Sequence, residues 1–295
     1  MGAAVHTLSK SGSPLDAAEK GIRRVESDAE VHTVGYSGWP NLLGEVELDA
    51  SLMDGDTMLA GAVGALKGFL HPITICRQIM ERLPNILLVG EGAARFAREC
   101  GSERARLQTG FTTEKWRQRV YEKLSQEQRS SWPDIPLVPM SNICRDPDRE
   151  TGTTAFLVAN TSGSVAAGVS SSGLAWKYPG RLGDSPLIGS GCYADSRYGA
   201  AACIGTGEMT IRAGTARSVV LYMKVGMTIR EACREAVKDL KELKGGLRGD
   251  VTILALSRPG EHFVICLGES AHRQYWLWNG ETPEAVRRTA EIVTL

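Results

Sequence analysis

An abrupt change of texture at residue 152 constrains this chain more than any other feature. Upstream, residues 102–150 carry 17 charged side chains in 49 positions, with three prolines between 133 and 139. Downstream, residues 152–214 hold 12 glycines in 63 positions, well above an ordinary glycine content of about 7%. The charged stretch reads as a solvated connector in which only residues 113–129 have helical character. A connector that long inside a compact domain implies a function. The glycine-dense stretch opens with two strand-like runs, residues 154–160 and 165–171, around Thr161-Ser162-Gly163-Ser164. Glycine at that density lets ligand, or other backbone, approach the main chain closely.

The flanking segments supply the remaining elements. Ser13-Pro14 starts a helix with a serine cap and a proline in its first turn, and Leu15, Ala18, Ile22 and Val25 form its apolar stripe. Residues 45–53 alternate as a strand, residues 60–66 are small and apolar, and Pro72 opens a helix to about Leu83. Residues 86–89 read as a buried strand, and residues 91–100 as a short helix closed by Gly101. Thr228 and Glu231 make a capping box. The helix they open carries Ile229, Cys233, Ala236, Val237, Leu240 and Leu243 on one face, and Gly245-Gly246 end it. Residues 251–257 and 262–267 pair as a hairpin. Elements in this order predict one mixed α/β sandwich domain over residues 1–295, without internal repeats.

Charge and composition remove whole classes of function. Lys plus Arg and Asp plus Glu are 34 each, which argues against a polybasic nucleic-acid surface and against attraction to anionic membranes. No apolar run reaches the ~18–20 residues of a membrane span. The opening MGAAVHTLSKSGSP has no apolar signal core, so a cytoplasmic location is expected. The seven cysteines form no CxxC pair, which disfavours both a disulfide framework and a zinc ribbon. His6, His32, His71, His262 and His272 are isolated from one another and read as structural or surface residues. Asp54-Gly55-Asp56 reads as a turn rather than a calcium loop. No metal and no cofactor are called for.

Two short motifs within the glycine-dense tract could carry chemistry. In Arg181-Leu182-Gly183-Asp184 a cation and an anion flank a glycine. They could hold the carboxylate and the ammonium of an α-amino acid, or they could close a local salt-bridged turn. Ile204-Gly205-Thr206-Gly207 offers backbone N–H groups suited to an oxyanion, or simply a β-bulge.

Taken together, the motifs resemble a known family. Residues 12–21 (GSPLDAAEKG), 44–54 (GEVELDASLMD), 58–66 (MLAGAVGAL) and 87–92 (LLVGEG), then Gly152-Thr153, GRLGDSPLIGSGCYAD and GAAACIGTGE, are similar to the threonine-type N-terminal-nucleophile asparaginases. They appear in that family's order and cover nearly everything outside the connector. The frame of Trp39-Pro40-Asn41-Leu42-Leu43-Gly44-Glu45 leans to the glycosylasparaginase branch.

The resemblance implies a four-layer αββα sandwich and a precursor that cuts itself between Gly152 and Thr153, giving chains 1–152 and 153–295. Thr153 suits the nucleophile's place: it follows the connector, precedes a strand, and has before it a glycine able to take a strained backbone. Its new α-amine, with an ordinary pKa of about 7.7–8.0, would serve as base for its own hydroxyl, so no histidine is required. The resemblance also implies that Ser171 is the second active-site hydroxyl. It gives Arg181 and Asp184 the substrate's α-carboxylate and α-ammonium, within the substrate-binding run Arg181, Leu182, Gly183 and Asp184. It makes Ile204, Gly205, Thr206 and Gly207 the substrate-binding and oxyanion loop. The expected activity is hydrolysis of a side-chain amide: GlcNAc-asparagine in a glycosylasparaginase, asparagine or β-aspartyl peptides in an L-asparaginase/isoaspartyl peptidase. The expected partners are a small amino-acid or glyco-amino-acid substrate and a second processed heterodimer.

Three features depart from that pattern. Thr151 stands where the family has histidine, Ile204 stands where it has threonine, and the family's first strand has no counterpart. The Ile204 departure predicts slow turnover, raised at least tenfold by Ile204→Thr through one restored donor. Two rivals remain from other classes: a catalytically silent binding protein, and a taspase-like protease suggested by Ser170-Ser171-Ser172-Gly173.

Overall fold

The computed structural model describes residues 1–10, 12–145, 152–269, 273–282 and 284–294. Thr151 and His272, both singled out above, lie outside the described residues.

After helices α1 (Gly2–Ser9) and α2 (Pro14–Glu26), the chain enters β1 (Leu48–Asp54) and β2 (Ala60–Leu66), then α3 (Pro72–Arg82), β3 (Leu87–Val89) and α4 (Gly90–Glu99). The connector forms α5 (Gly110–Arg119) and α6 (Gln126–Ser130). Beyond it come β4 (Thr154–Ala159), β5 (Val165–Ser171), β6 (Cys192–Asp195) and β7 (Gly199–Gly205), followed by α7 (Gly207–Ala213), α8 (Thr215–Lys224) and α9 (Ile229–Glu242). The chain closes with β8 (Val251–Ser257), β9 (His262–Leu267), β10 (Gln274–Leu277), β11 (Val286–Thr289) and β12 (Glu291–Val293). One five-stranded sheet runs β3-β2-β1-β5-β4 and a second runs β12-β9-β8-β7-β6. Each is antiparallel except for one parallel outer pair, β2 with β3 and β9 with β12. The fold is therefore mixed α+β, as its alternating strand and helix signals require.

Side-chain alternation divides the core into three. Ala50, Leu52, Val63 and Ala166 face α2 and α3, where Ile22, Ile73 and Ile79 meet them. Met53, Val165, Ala167 and Val169 of the first sheet pack on Cys192, Ala194, Ala200 and Ala202 of the second. Ala201, Cys203, Ile253 and Ile265 face Val219, Val220, Ala236 and Leu240 of α8 and α9. The alternation therefore fixes which side chains stand between the sheets.

The expected caps are present: Ser13 with Asp16 opens α2, and Thr228 with Glu231 opens α9. Other expectations need correction. Residues 86–89 are not buried: β3 is an edge strand with one neighbour, and Ile86, Leu87 and Val89 are exposed. The helical character expected over 113–129 is shared between α5 and α6, separated by a 3-10 turn at Tyr121–Lys123. Nor is the connector merely solvated. Trp116 Nε1 donates to Leu42 O at 3.0 Å, and Trp116, Leu137, Met140 and Ile143 pack against Trp39, Leu42 and Trp176. Its few apolar residues are spaced to form a patch, which a count of charges hides. Helices α1, α7 and α8 were not anticipated.

Candidate active site

Register places the first group of residues. Asp49 of β1 pairs with Ser171 of β5, and Ser170 pairs with Thr154, the first residue of β4. Thr153, one step earlier, therefore stands beside Ser171 in the same row. Cross-strand partners share a face, and Val169 and Met53 on this face point between the sheets. Asp49, Gly152, Thr153 and Ser171 accordingly line one cavity, closed on the far side by Arg181, Gly183, Asp184, Ser185 and Gly205, with Gly173 and Leu174 at its margin. The cavity holds ≈ 10 Å³, room for about one water.

The Gly152–Thr153 peptide borders this cavity. Ser171 Oγ donates to the Gly152 carbonyl at 3.1 Å and accepts from the Gly173 N–H at 2.9 Å. A hydroxyl that accepts from a fixed N–H while donating to a carbonyl polarises that carbonyl. Gly152 is required for space: a Cβ there would come within 2.5 Å of Thr33 Oγ1.

The second group sits on the turn between β5 and β6. Arg181 does not close a salt bridge with Asp184. Its Nε and Nη2 both donate to Glu208 Oε1, at 3.0 and 2.8 Å, and Glu208 begins the first turn of α7. Asp184, 4% exposed, accepts from Thr210 Oγ1 at 2.7 Å. Burial pushes its carboxyl up to about 6, against the opposing effects of the Thr210 hydroxyl and the Arg181 charge. Gly207 packs directly on this carboxyl, since a Cβ there would lie 2.9 Å from Asp184 Oδ1. A guanidinium and a carboxylate held apart, each by its own partner, present opposite charges to one small cavity. That arrangement suits a zwitterion.

A model of the asparaginase family matches residues 1–282. The chain belongs to the asparaginase family. Among proteins similar to it are the N(4)-(beta-N-acetylglucosaminyl)-L-asparaginase of Elizabethkingia miricola, 35% identical over 88% of this chain and 73% of that protein. The isoaspartyl peptidase of Salmonella typhimurium is 32% identical over 94% of this chain and 84% of its own length. The plant-type L-asparaginase of Pyrococcus horikoshii is 34% identical over 77% and 72%.

Of the residues singled out from the sequence, Gly152, Thr153, Ser171, Arg181, Gly183, Asp184 and Gly205 come together around the cavity. Leu182, Ile204, Thr206 and Gly207 do not line it. Leu182 packs against Gly64 of β2. Ile204 lies in the β7–β8 ladder opposite Thr252. The Thr206 N–H, expected to be free for an oxyanion, donates to Asp250 O at 2.9 Å, because the strand pairing continues one residue further than the glycines suggested. Thr33, Asp49, Glu208 and Thr210 were assigned no role from sequence. Glu208 offered a usable signal, as an acid opening a helix just after a glycine turn; Thr33 offered none. Among the described residues there is no cluster of three or more metal-ligating side chains, and no helix is long and apolar enough to cross a membrane.

Proposed function

We propose that this asparaginase is a self-processing N-terminal-nucleophile amidohydrolase acting on GlcNAc-asparagine, with asparagine and β-aspartyl peptides as the alternative substrates. One observation carries the reading. The Gly152 carbonyl accepts from Ser171, and Gly152 and Ser171 line the same cavity as Arg181 and Asp184. The chain's own acyl group thus stands where a substrate's acyl group belongs.

In the first reaction Thr153 Oγ1 adds to the Gly152 carbonyl carbon and the Gly152–Thr153 C–N bond breaks. The nitrogen takes up a proton and leaves as the α-amine. Water then opens the ester, freeing the Gly152 carboxylate and Thr153. In the second, the α-amine accepts the Thr153 hydroxyl proton as the oxygen attacks the side-chain amide carbonyl. Ser171 and the backbone near Gly205 stabilise the oxyanion. The α-ammonium passes its proton to the amide nitrogen as the C–N bond breaks and the amine or ammonia leaves, and water then hydrolyses the acyl-Thr153 ester to release aspartate. Arg181 holds the α-carboxylate and Asp184 the α-ammonium, a pairing that fits their separate anchoring by Glu208 and Thr210. Leu182, Gly183, Ile204, Thr206 and Gly207 shape the walls behind them.

On this reading residues 1–295 form one domain of the four-layer αββα type, processed into chains 1–152 and 153–295, and two such heterodimers associate. The three core clusters, two between helices and a sheet and one between sheets, support that layering. Substrates are small molecules, with no role for nucleic acid or membrane. Release of aspartate from GlcNAc-asparagine, asparagine and a β-aspartyl dipeptide, measured in parallel, tests the assignment. GlcNAc-asparagine is expected to be fastest. No release from any of the three by cleaved protein favours a silent binding protein, and preference for peptides with blocked α-groups favours a protease.

A further inference from the structure

One face of β1, together with the residue just before it, carries polar side chains that no step above uses. Glu47, Asp49 and Ser51 alternate along the chain and are all buried, yet each reaches the segment that carries Arg181 and Asp184. The Gly180 N–H donates to both Glu47 carboxylate oxygens, at 3.1 and 3.2 Å. The Gly183 N–H donates to Asp49 Oδ2 at 3.3 Å, while Asp49 Oδ1 accepts from Ala65 N–H of β2 at 2.9 Å. Ser51 Oγ donates to Ser185 O at 2.6 Å. Lys177, 1% exposed, closes the row: its Nζ donates to Glu47 O at 3.2 Å and lies 3.8 Å from Asp49 Oδ2.

A buried lysine is rare unless paired, and side-chain bonds to three points of one turn, at Gly180, Gly183 and Ser185, exceed what an ordinary loop needs. We propose that Lys177, with Glu47, Asp49 and Ser51, forms a positioning row that fixes the distance between Arg181 and Asp184 and so sets affinity for zwitterionic L-α-amino acids. Arg181 and Asp184 lie between the row's attachment points at Gly180, Gly183 and Ser185. The turn cannot shift along β1 without breaking several of these bonds together. Lys177 supplies the positive charge that keeps Asp49 from standing as a lone buried carboxylate. Without it, Asp49 relaxes and Gly183 moves with it.

The inference rests on the reading that Arg181 and Asp184 hold the substrate's α-groups. Its test is the inhibition constant of L-aspartate, measured beside kcat on asparagine with the processed full-length enzyme. Lys177→Met is expected to raise the inhibition constant about tenfold or more while kcat at saturation falls less than about threefold. Loss of folded protein lowers apparent kcat but leaves an inhibition constant untouched, so an unchanged constant overturns the inference whatever happens to kcat. Should Lys177→Met fail to fold, Ser51→Ala keeps the ion pair and, of the turn contacts, loses only the Ser185 bond, together with the weak contact to Cys192 Sγ at 3.3 Å. It is expected to raise the constant about two- to fivefold, and no change there is equally fatal. Arg181→Ala separates the two readings. If it leaves the constant unchanged, the α-group site itself is misassigned. If it raises the constant but Lys177→Met does not, only the positioning row falls.

Discussion

The two halves of the site are held in place by different means. Thr153, Ser171 and Asp49 stand in a row because three strands pair in register, and a one-residue slip would turn all three to the other face. Arg181 and Asp184 stand on an irregular turn, held by Glu47 and by side chains of β1 and α7 from 26 to more than 130 residues away. Backbone ladders make the position of Thr153 insensitive to most single substitutions. The recognition half depends on individual buried polar contacts, and it is there that specificity is open to change.

Substitutions can set the two halves apart. The largest effect belongs to the strand row: Thr153→Ala is expected to abolish turnover of every substrate, by at least about 10³-fold, while leaving the fold and the α-group pair intact. Next come Asp184→Ala and Arg181→Ala, each expected to weaken use of free asparagine by about 2–5 kcal/mol with a much smaller loss on substrates whose α-groups are blocked. Equal losses on both kinds of substrate would reduce the recognition half to a structural turn. Steady-state kinetics on matched free and blocked substrates decide it.

A smaller effect separates function from stability. The buried Asp184 carboxyl is raised to about 6 from an ordinary 3.8, so its contribution to folding is fully present below about pH 4 and is lost as pH rises through 6. At pH 8 the ionised, buried carboxylate opposes folding. Asp184→Asn should therefore stabilise the protein by on the order of 2 kcal/mol at pH 8 and by little at pH 4, while impairing recognition. Chemical denaturation at the two pH values checks the sign.

The smallest effect is at Ile204. The sequence led us to expect at least a tenfold gain from Ile204→Thr, but Ile204 lies in the β7–β8 ladder and Gly205, not Ile204, lines the cavity. A gain of about threefold or less in kcat is now expected, since Ile204 shares the between-sheet face of Ala200 and Ala202 but is not itself among the residues that line the cavity. A tenfold gain would mean that β7 shifts after cleavage.

The same contrast explains what could be read beforehand. Strand row, caps and helix faces follow local periodicity, so β4, β5, α2 and α9 were visible in the chain, and Gly152-Thr153 fell at a change of texture. Arg181 and Asp184 were found as a motif, but their partners were not. Glu208 and Thr210 belong to a short helix hidden in glycine-rich sequence, and Thr33 meets Gly152 only through the tertiary fold. Asp49 lay inside a quoted motif, but nothing local says that a strand aspartate turns to a backbone N–H 134 residues away. The connector misled for the same reason, because its Trp116, Val120, Leu137, Met140 and Ile143 act only once Trp39 and Trp176 are beside them.

The central claim is that the peptide held by Ser171 is cut by Thr153. Intact-mass measurement of purified wild type and Thr153→Ala, with N-terminal sequencing of the products, tests it most directly. Wild type is expected to yield two chains of nearly equal size, the second beginning Thr-Thr-Ala-Phe, while Thr153→Ala stays whole. A wild-type chain that remains intact yet hydrolyses asparagine derivatives at full rate would contradict it.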